Sequence, residues 1–178
     1  MMGEEDVISI YQALSLSEIQ VWLTGGWGID ALLQRQTRPH KDIDIIMMLD
    51  DVDRMLGLLA REGYRMKELW SENKLVVNSS GIEIPTAFVL WDLKEHEVDA
   101  HAIQFDENGN GIPSWVNDEG LVFSKEDLAG NGNVASVPMR CISPRMQVLC
   151  HKGYDLPIAQ KRDLELLRDR FGVECSDI

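Results

Sequence analysis

Basic residues are scarce in this sequence: 17 Lys and Arg stand against 30 Asp and Glu, a formal net charge of −13 over 178 residues. A surface so poor in cations argues against a nucleic-acid partner, because phosphate backbones are gripped by clustered Lys and Arg. Excess carboxylate instead attracts a cationic small molecule, or serves solubility alone. Long apolar runs are missing too. Nowhere do about 18 apolar residues follow one another, so no membrane span is expected. Met1-Met2-Gly3-Glu4-Glu5-Asp6 is acidic where a secretory signal would be basic, which points to the cytoplasm. Cysteine is limited to Cys141, Cys150 and Cys175, without a Cys-x-x-Cys or a matching His pattern. That usage speaks against a disulfide scaffold and against a zinc site. No internal repeat, low-complexity tract or linker interrupts the chain.

What is present is the pattern of an ordinary globule, 44% hydrophobic and 26% charged. Its informative stretch is residues 21–48. A short apolar run, Val21-Trp22-Leu23, stops at Gly25-Gly26; a helix-period segment follows, and a β-branched run opens with Asp42-Ile43-Asp44-Ile45. The order is strand, glycine turn, helix, strand. Adjacent glycines opening a helix leave backbone N–H groups bare at the end of a dipole that favours anions, which suits a phosphate. Alternation along a strand puts Asp42 and Asp44 on one face and Ile43 and Ile45 on the other. Two carboxylates so placed are costly unless a cation shares them, and hard divalent ions take carboxylate together with substrate phosphate. Phosphoryl or nucleotidyl transfer is the chemistry these parts suggest.

Gly25-Gly26-Trp27 followed by Asp42-x-Asp44 resembles the signature of the DNA polymerase β-like nucleotidyltransferases. Trp22-Leu23, Gly25-Gly26-Trp27-Gly28-x-Asp30, Arg38-x-His40 and Asp42-Ile43-Asp44-Ile45 resemble the antibiotic-modifying branch, above all the small lincosamide nucleotidyltransferases and next the aminoglycoside 2″-nucleotidyltransferases. Val98-Asp99-Ala100-His101 is similar to the element carrying the family's third carboxylate, and His151-Lys152-Gly153-Tyr154-Asp155-Leu156 to its C-terminal signature. The resemblance implies an α+β nucleotidyltransferase fold, a mixed sheet flanked by helices, in a single domain. About residues 1–140 would form the catalytic core and 141–178 a small helical part closing over nucleotide and acceptor. It implies Mg²⁺ held by Asp42 and Asp44, with Asp99 as further ligand or as the base taking the acceptor proton. ATP as co-substrate would meet Gly25 and Gly26. His101 and Tyr154 would line the acceptor pocket. Arg38 and Lys161 either meet the triphosphate or are solvated cations. The implied activity is transfer of AMP to a hydroxyl of a small antibiotic, a lincosamide first. An aminoglycoside 2″-hydroxyl is the alternative, or a protein or RNA of the toxin–antitoxin kind. A homodimer stays open.

Elsewhere, Val7, Ile10, Tyr11 and Leu14 predict an opening amphipathic helix. Asp50 or Asp51 is a fitting N-cap for a helix through Val52, Met55, Leu56 and Leu59 that ends at Gly63. Strands are expected at residues 64–69, 74–78, 82–90, 95–105 and 134–141, with Glu97, Asp99 and His101 on one face of the fourth. Residues 106–111 imitate an EF-hand opening, but the twelfth position is Asn117 rather than a bidentate Glu, so a turn is expected. Residues 115–123 continue the sheet or wall a pocket, and residues 124–127 start a short helix. Ser143-Pro144 opens a helix, and a last amphipathic helix carries Leu164, Leu166, Leu167 and Phe171. Trp70, Trp91, Trp115 and Tyr154 are the aromatic candidates for an acceptor wall. The resemblance is thinnest at residues 70–95.

Overall fold

The computed structural model describes residues 1–78, 80–116, 120–152 and 155–174. The fold is α+β: helices α1 (Glu4–Leu16), α2 (Gly25–Leu33), α3 (Val52–Arg61), α4 (Pro144–Cys150) and α5 (Ile158–Phe171) pack around a six-stranded mixed sheet. The sheet holds β1 (Val21–Thr24), β2 (Asp42–Met48), β7 (Glu97–Phe105), β6 (Ala87–Trp91) and β3 (Arg65–Leu69) in that order, with β8 (Gly111–Pro113) on β7. Only β2 and β7 run parallel; the other pairs are antiparallel. No helix among the described residues is long and apolar enough to cross a membrane.

Strand alternation divides β2 as its sequence requires. Ile43, Ile45 and Met47 enter the main core, where Val7, Ile10 and Leu14 of α1 and Val52, Met55 and Leu59 of α3 meet them. Asp42 and Asp44 take the other face, followed by Ile46, which joins Trp22, Ile103, Phe123 and Met146 in a second apolar cluster. That cluster seals the floor beyond the aspartates. Val148 of α4 and Leu164 and Leu167 of α5 bring the C-terminal helices into the main core, and Leu156 between them joins it. Ser143 caps α4 by accepting the Met146 N–H at 3.1 Å.

Four expectations need correction. Residues 82–90 form two strands, β5 (Glu83–Pro85) paired with β4 (Leu75–Val77) in a small separate sheet, then β6. The break falls at Thr86. Its N–H goes to Asn73 Oδ1 and its hydroxyl to the Lys74 carbonyl, both at 2.9 Å, and Pro85 before it has no N–H to give. Residues 134–141 are the second half of a hairpin, β9 (Asn131–Val134) and β10 (Val137–Arg140), turned by Ala135 and Ser136 in left-handed conformation. The first strand of that hairpin, with Gly132 inside it, had no strand signal in the sequence. Residues 124–127 start only a 3₁₀ turn at Asp127–Ala129, because buried Asp127 gathers the Ser124 and Ser143 hydroxyls and Arg145. Asp51 stands at the N-cap of α3 without capping it; its carboxylate takes Arg54 instead, at 2.7 Å.

The Asp106 turn is as expected: its carboxylate accepts the N–H groups of Asn108 and Asn110 between β7 and β8. Asn117 lies outside the described residues.

Candidate active site

Parallel pairing of β2 with β7 sets Asp42 opposite Glu97, Asp44 opposite Asp99 and Ile46 opposite His101. Register partners share a sheet face, so the carboxylates of the two strands converge. Glu97 is neutralised in place by Lys41 Nζ at 2.6 Å and Lys67 Nζ at 2.9 Å. Asp42, Asp44 and Asp99 keep no such partner from Lys and line a cavity of about 380 Å³.

Burial pushes the Asp44 carboxyl well above its ordinary range, and the negative charges of Asp42 and Asp99 push the same way; Arg38 and the Gly26 N–H oppose them. Burial raises Asp42 as well, aided by Asp99 and Glu97 and opposed by its own backbone N–H and Lys41. A pair of acids disfavouring its own ionisation is the donor set a hard divalent cation relieves. Among the described residues no three His, Cys, Asp or Glu groups converge tightly enough to hold an ion unaided. Two carboxylates completed by substrate phosphate and water suit Mg²⁺ better than an all-protein cage.

The glycine turn adjoins these acids. Gly25 has φ +57°, and a Cβ there would lie 2.0 Å from Asp44 Oδ2. A Cβ on Gly26 would lie 2.2 Å from His40 Nδ1. Both glycines are thus required for packing, whatever they also do for phosphate. His40 Nε2 meets Asp30 Oδ2 at 2.5 Å, each residue 2% exposed, and Asp30 Oδ1 accepts the Thr37 N–H and hydroxyl. Residue 30 of α2 therefore fixes the loop that delivers Arg38 and Asp42. Arg38 lines the cavity, with Nε donating to buried Asp163 of α5 at 2.9 Å. Lys161 is exposed on α5 and does not line the cavity; Gln160, its neighbour, does.

On the other side, Trp70 Nε1 donates to Asp99 Oδ1 at 2.9 Å. His101 Nδ1 lies 3.4 Å from Asp99 and its Nε2 3.3 Å from Glu72. Burial would lower the imidazole, but Asp99 and Glu72 outweigh it and raise its pKa. Burial would likewise raise Glu72; backbone hydrogen bonding, His101 and Ser71 bring it below the usual range. The His101 ring stands 4.8 Å from Trp115, edge to face, and Trp115 6.3 Å from Phe123. Trp115, Leu121 and Phe123 wall the cavity, as the pocket-wall alternative for this stretch expected of them. Trp91 faces a separate hollow with Arg65 and Leu93, and Tyr154 lies outside the described residues.

Sequence reasoning missed Glu72, Thr24, Cys150, His151 and Gln160 as lining residues. Glu72 sits in a turn with no periodic signal. His151 belonged to a motif already noted; burial lowers its pKa, and Nδ1 is 2.7 Å from the Gln147 carbonyl.

The sequence model of the aminoglycoside-2″-adenylyltransferase family matches residues 6–167. The chain belongs to that family. It is 28% identical over 170 residues to a lincosamide resistance protein of Staphylococcus haemolyticus, covering 93% of this chain and 94% of that one. The lincomycin-bound crystal structure of the lincosamide antibiotic adenylyltransferase LnuA aligns with a TM-score of 0.76 and 27% identity, over 94% of this chain and 97% of that one. The aminoglycoside enzyme ANT(2″)-Ia in complex with adenylyl-2″-tobramycin aligns at 0.69 and 19% identity, over 95% and 89%, a likeness of fold. An adenylyltransferase of this family uses a nucleotide as substrate.

Proposed function

We propose that the protein transfers AMP from ATP to a hydroxyl of a lincosamide, with Mg²⁺, releasing pyrophosphate in the cytoplasm. The observation that carries this reading is the cavity itself: Asp42, Asp44 and Asp99 converge on one side and Trp115, Leu121 and Phe123 wall the other. A monocationic amphiphile fits apolar walls with few polar anchors, whereas a polycation needs many carboxylates. The kinship with lincosamide proteins at 27% and 28% identity supports the same choice.

Asp42 and Asp44 would hold the Mg²⁺, and the bound ion would supply neutralisation of phosphate charge. Gly25 and Gly26 open α2 toward the triphosphate, and Arg38 adds a guanidinium on the same side. Asp99 takes the acceptor hydroxyl's proton, oriented by the Trp70 indole N–H. His101 lines the acceptor side. The chain works as a single domain, its C-terminal helices sharing the core through Val148, Leu164 and Leu167.

The net charge of −13 favours an aminoglycoside as the second reading. With ATP and Mg²⁺, lincomycin should trigger stoichiometric pyrophosphate release that EDTA abolishes. Release at equal rate without an acceptor, or unaffected by EDTA, would refute the proposal.

A further inference from the structure

Among the described residues four carboxylates line the cavity, and three of them, Asp42, Asp44 and Asp99, share the face of β2 and β7. Glu72 stands apart. It belongs to the turn between β3 and β4, where its carbonyl accepts the Val116 N–H at 2.9 Å and joins the two segments that border the aromatic wall. Next to it, Asn73 Oδ1 accepts the N–H groups of Thr86 and Ala87, so the turn is anchored to the sheet. The Glu72 side chain keeps 35% of its surface exposed. Its ionic neighbour is His101, which also faces Asp99. One imidazole between two carboxylates leaves a negative charge uncompensated on this side of the cavity.

Beside that charge the wall is aromatic. Trp115 stands edge to face with His101, Phe123 with Trp115, and Leu121 continues the surface. A carboxylate bordering an aromatic recess recognises an alkylammonium: the charge goes to the carboxylate, and the carbons around the nitrogen lie against the rings. We propose that Glu72 is the specificity-determining residue that takes the acceptor's protonated amine, with Trp115, Leu121 and Phe123 receiving the apolar substituent beside it. The assignment rests on the lincosamide reading above. Only the width of the His101 ring separates Glu72 from Asp99, so an acceptor anchored at Glu72 reaches Asp99 with a nearby hydroxyl. In that reading Asp42 and Asp44 serve the metal and Asp99 the acceptor hydroxyl, so among the described residues Glu72 is the lining carboxylate left for an amine.

Steady-state kinetics of the wild type and Glu72→Gln, with lincomycin and with an N-acyl lincosamide whose nitrogen carries no charge, test the assignment. A hydrogen-bonded charge pair corresponds to about a 10- to 100-fold effect. The KM for lincomycin should rise by that factor in Glu72→Gln, while kcat and the KM for ATP stay within about threefold. The uncharged analogue should be a poor substrate of the wild type and equally poor for the variant. Glu72→Asp, which keeps the charge, should recover much of the lost affinity. The assignment is overturned if both acceptors lose affinity by the same factor, since Glu72 would then act through His101. It is equally overturned if the KM for lincomycin does not move, or if only kcat falls. No product from the wild type would refute the acceptor reading and this assignment with it; product from the wild type with an unmoved KM in the variant would refute Glu72 alone.

Discussion

Asp44 carries the account at the scale of a residue. Its carboxylate lines the cavity, and Asp42 and Asp99 push its pKa in the direction burial already does. Asp44→Asn removes the charge with almost no change in volume. Transfer should fall at least about 100-fold, the scale of other electrostatic deletions at active sites. Stability should move the other way. A folded pKa raised above the unfolded one means that the ionised acid weakens the native state above that pKa. Without metal at neutral pH, the variant should therefore melt at or above the wild-type temperature, and the gap should close as pH falls and the wild-type carboxyl protonates. Calorimetric melts in EDTA across that range decide it; a lower melting temperature for the variant at neutral pH would mean that Asp44 is structural. At this scale spacing put Asp42 and Asp44 on one strand face and the family resemblance pointed to Asp99, and the structure brings the three to one cavity. The sequence was unreadable at Glu72, whose role comes from a turn folded back against Val116, and at Lys161. The inward positions of α5, Asp163, Leu164 and Leu167, leave Lys161 turned outward.

At the scale of elements, the strand, glycine turn, helix and strand of residues 21–48 followed from periodicity because each segment obeys its own local rule. The segment after β3 did not, because side chains rather than a ladder decide it: Asn73 and Thr86 divert the backbone and split the expected strand into β5 and β6. Asn73→Ala leaves the Thr86 and Ala87 N–H groups without their acceptor, at about 1–3 kcal/mol for each buried group. The loosened turn carries Glu72, so the KM for the acceptor should rise severalfold while the KM for ATP, bound at α2, should not. Steady-state kinetics with each substrate varied separate the two. Equal losses would place the hairpin in nucleotide binding.

Across the whole molecule, charge and cavity point to different acceptors. The net charge of −13 would draw in a polycation by long-range attraction. The cavity discriminates at contact: in the proposed reading Asp42 and Asp44 serve the metal and Asp99 the reacting hydroxyl, while Trp115, Leu121 and Phe123 give an apolar stretch of wall. Contact chemistry decides which bound molecule reacts, while net charge mainly sets how often molecules arrive. Composition alone could not separate these, since both acceptors require the same aspartates and glycines. Mass spectrometry after incubation of the protein with ATP, Mg²⁺ and an equimolar mixture of lincomycin and kanamycin tests the choice most directly. A single AMP adduct on lincomycin, with kanamycin unchanged, is the predicted result; an adduct on kanamycin with lincomycin untouched would contradict it.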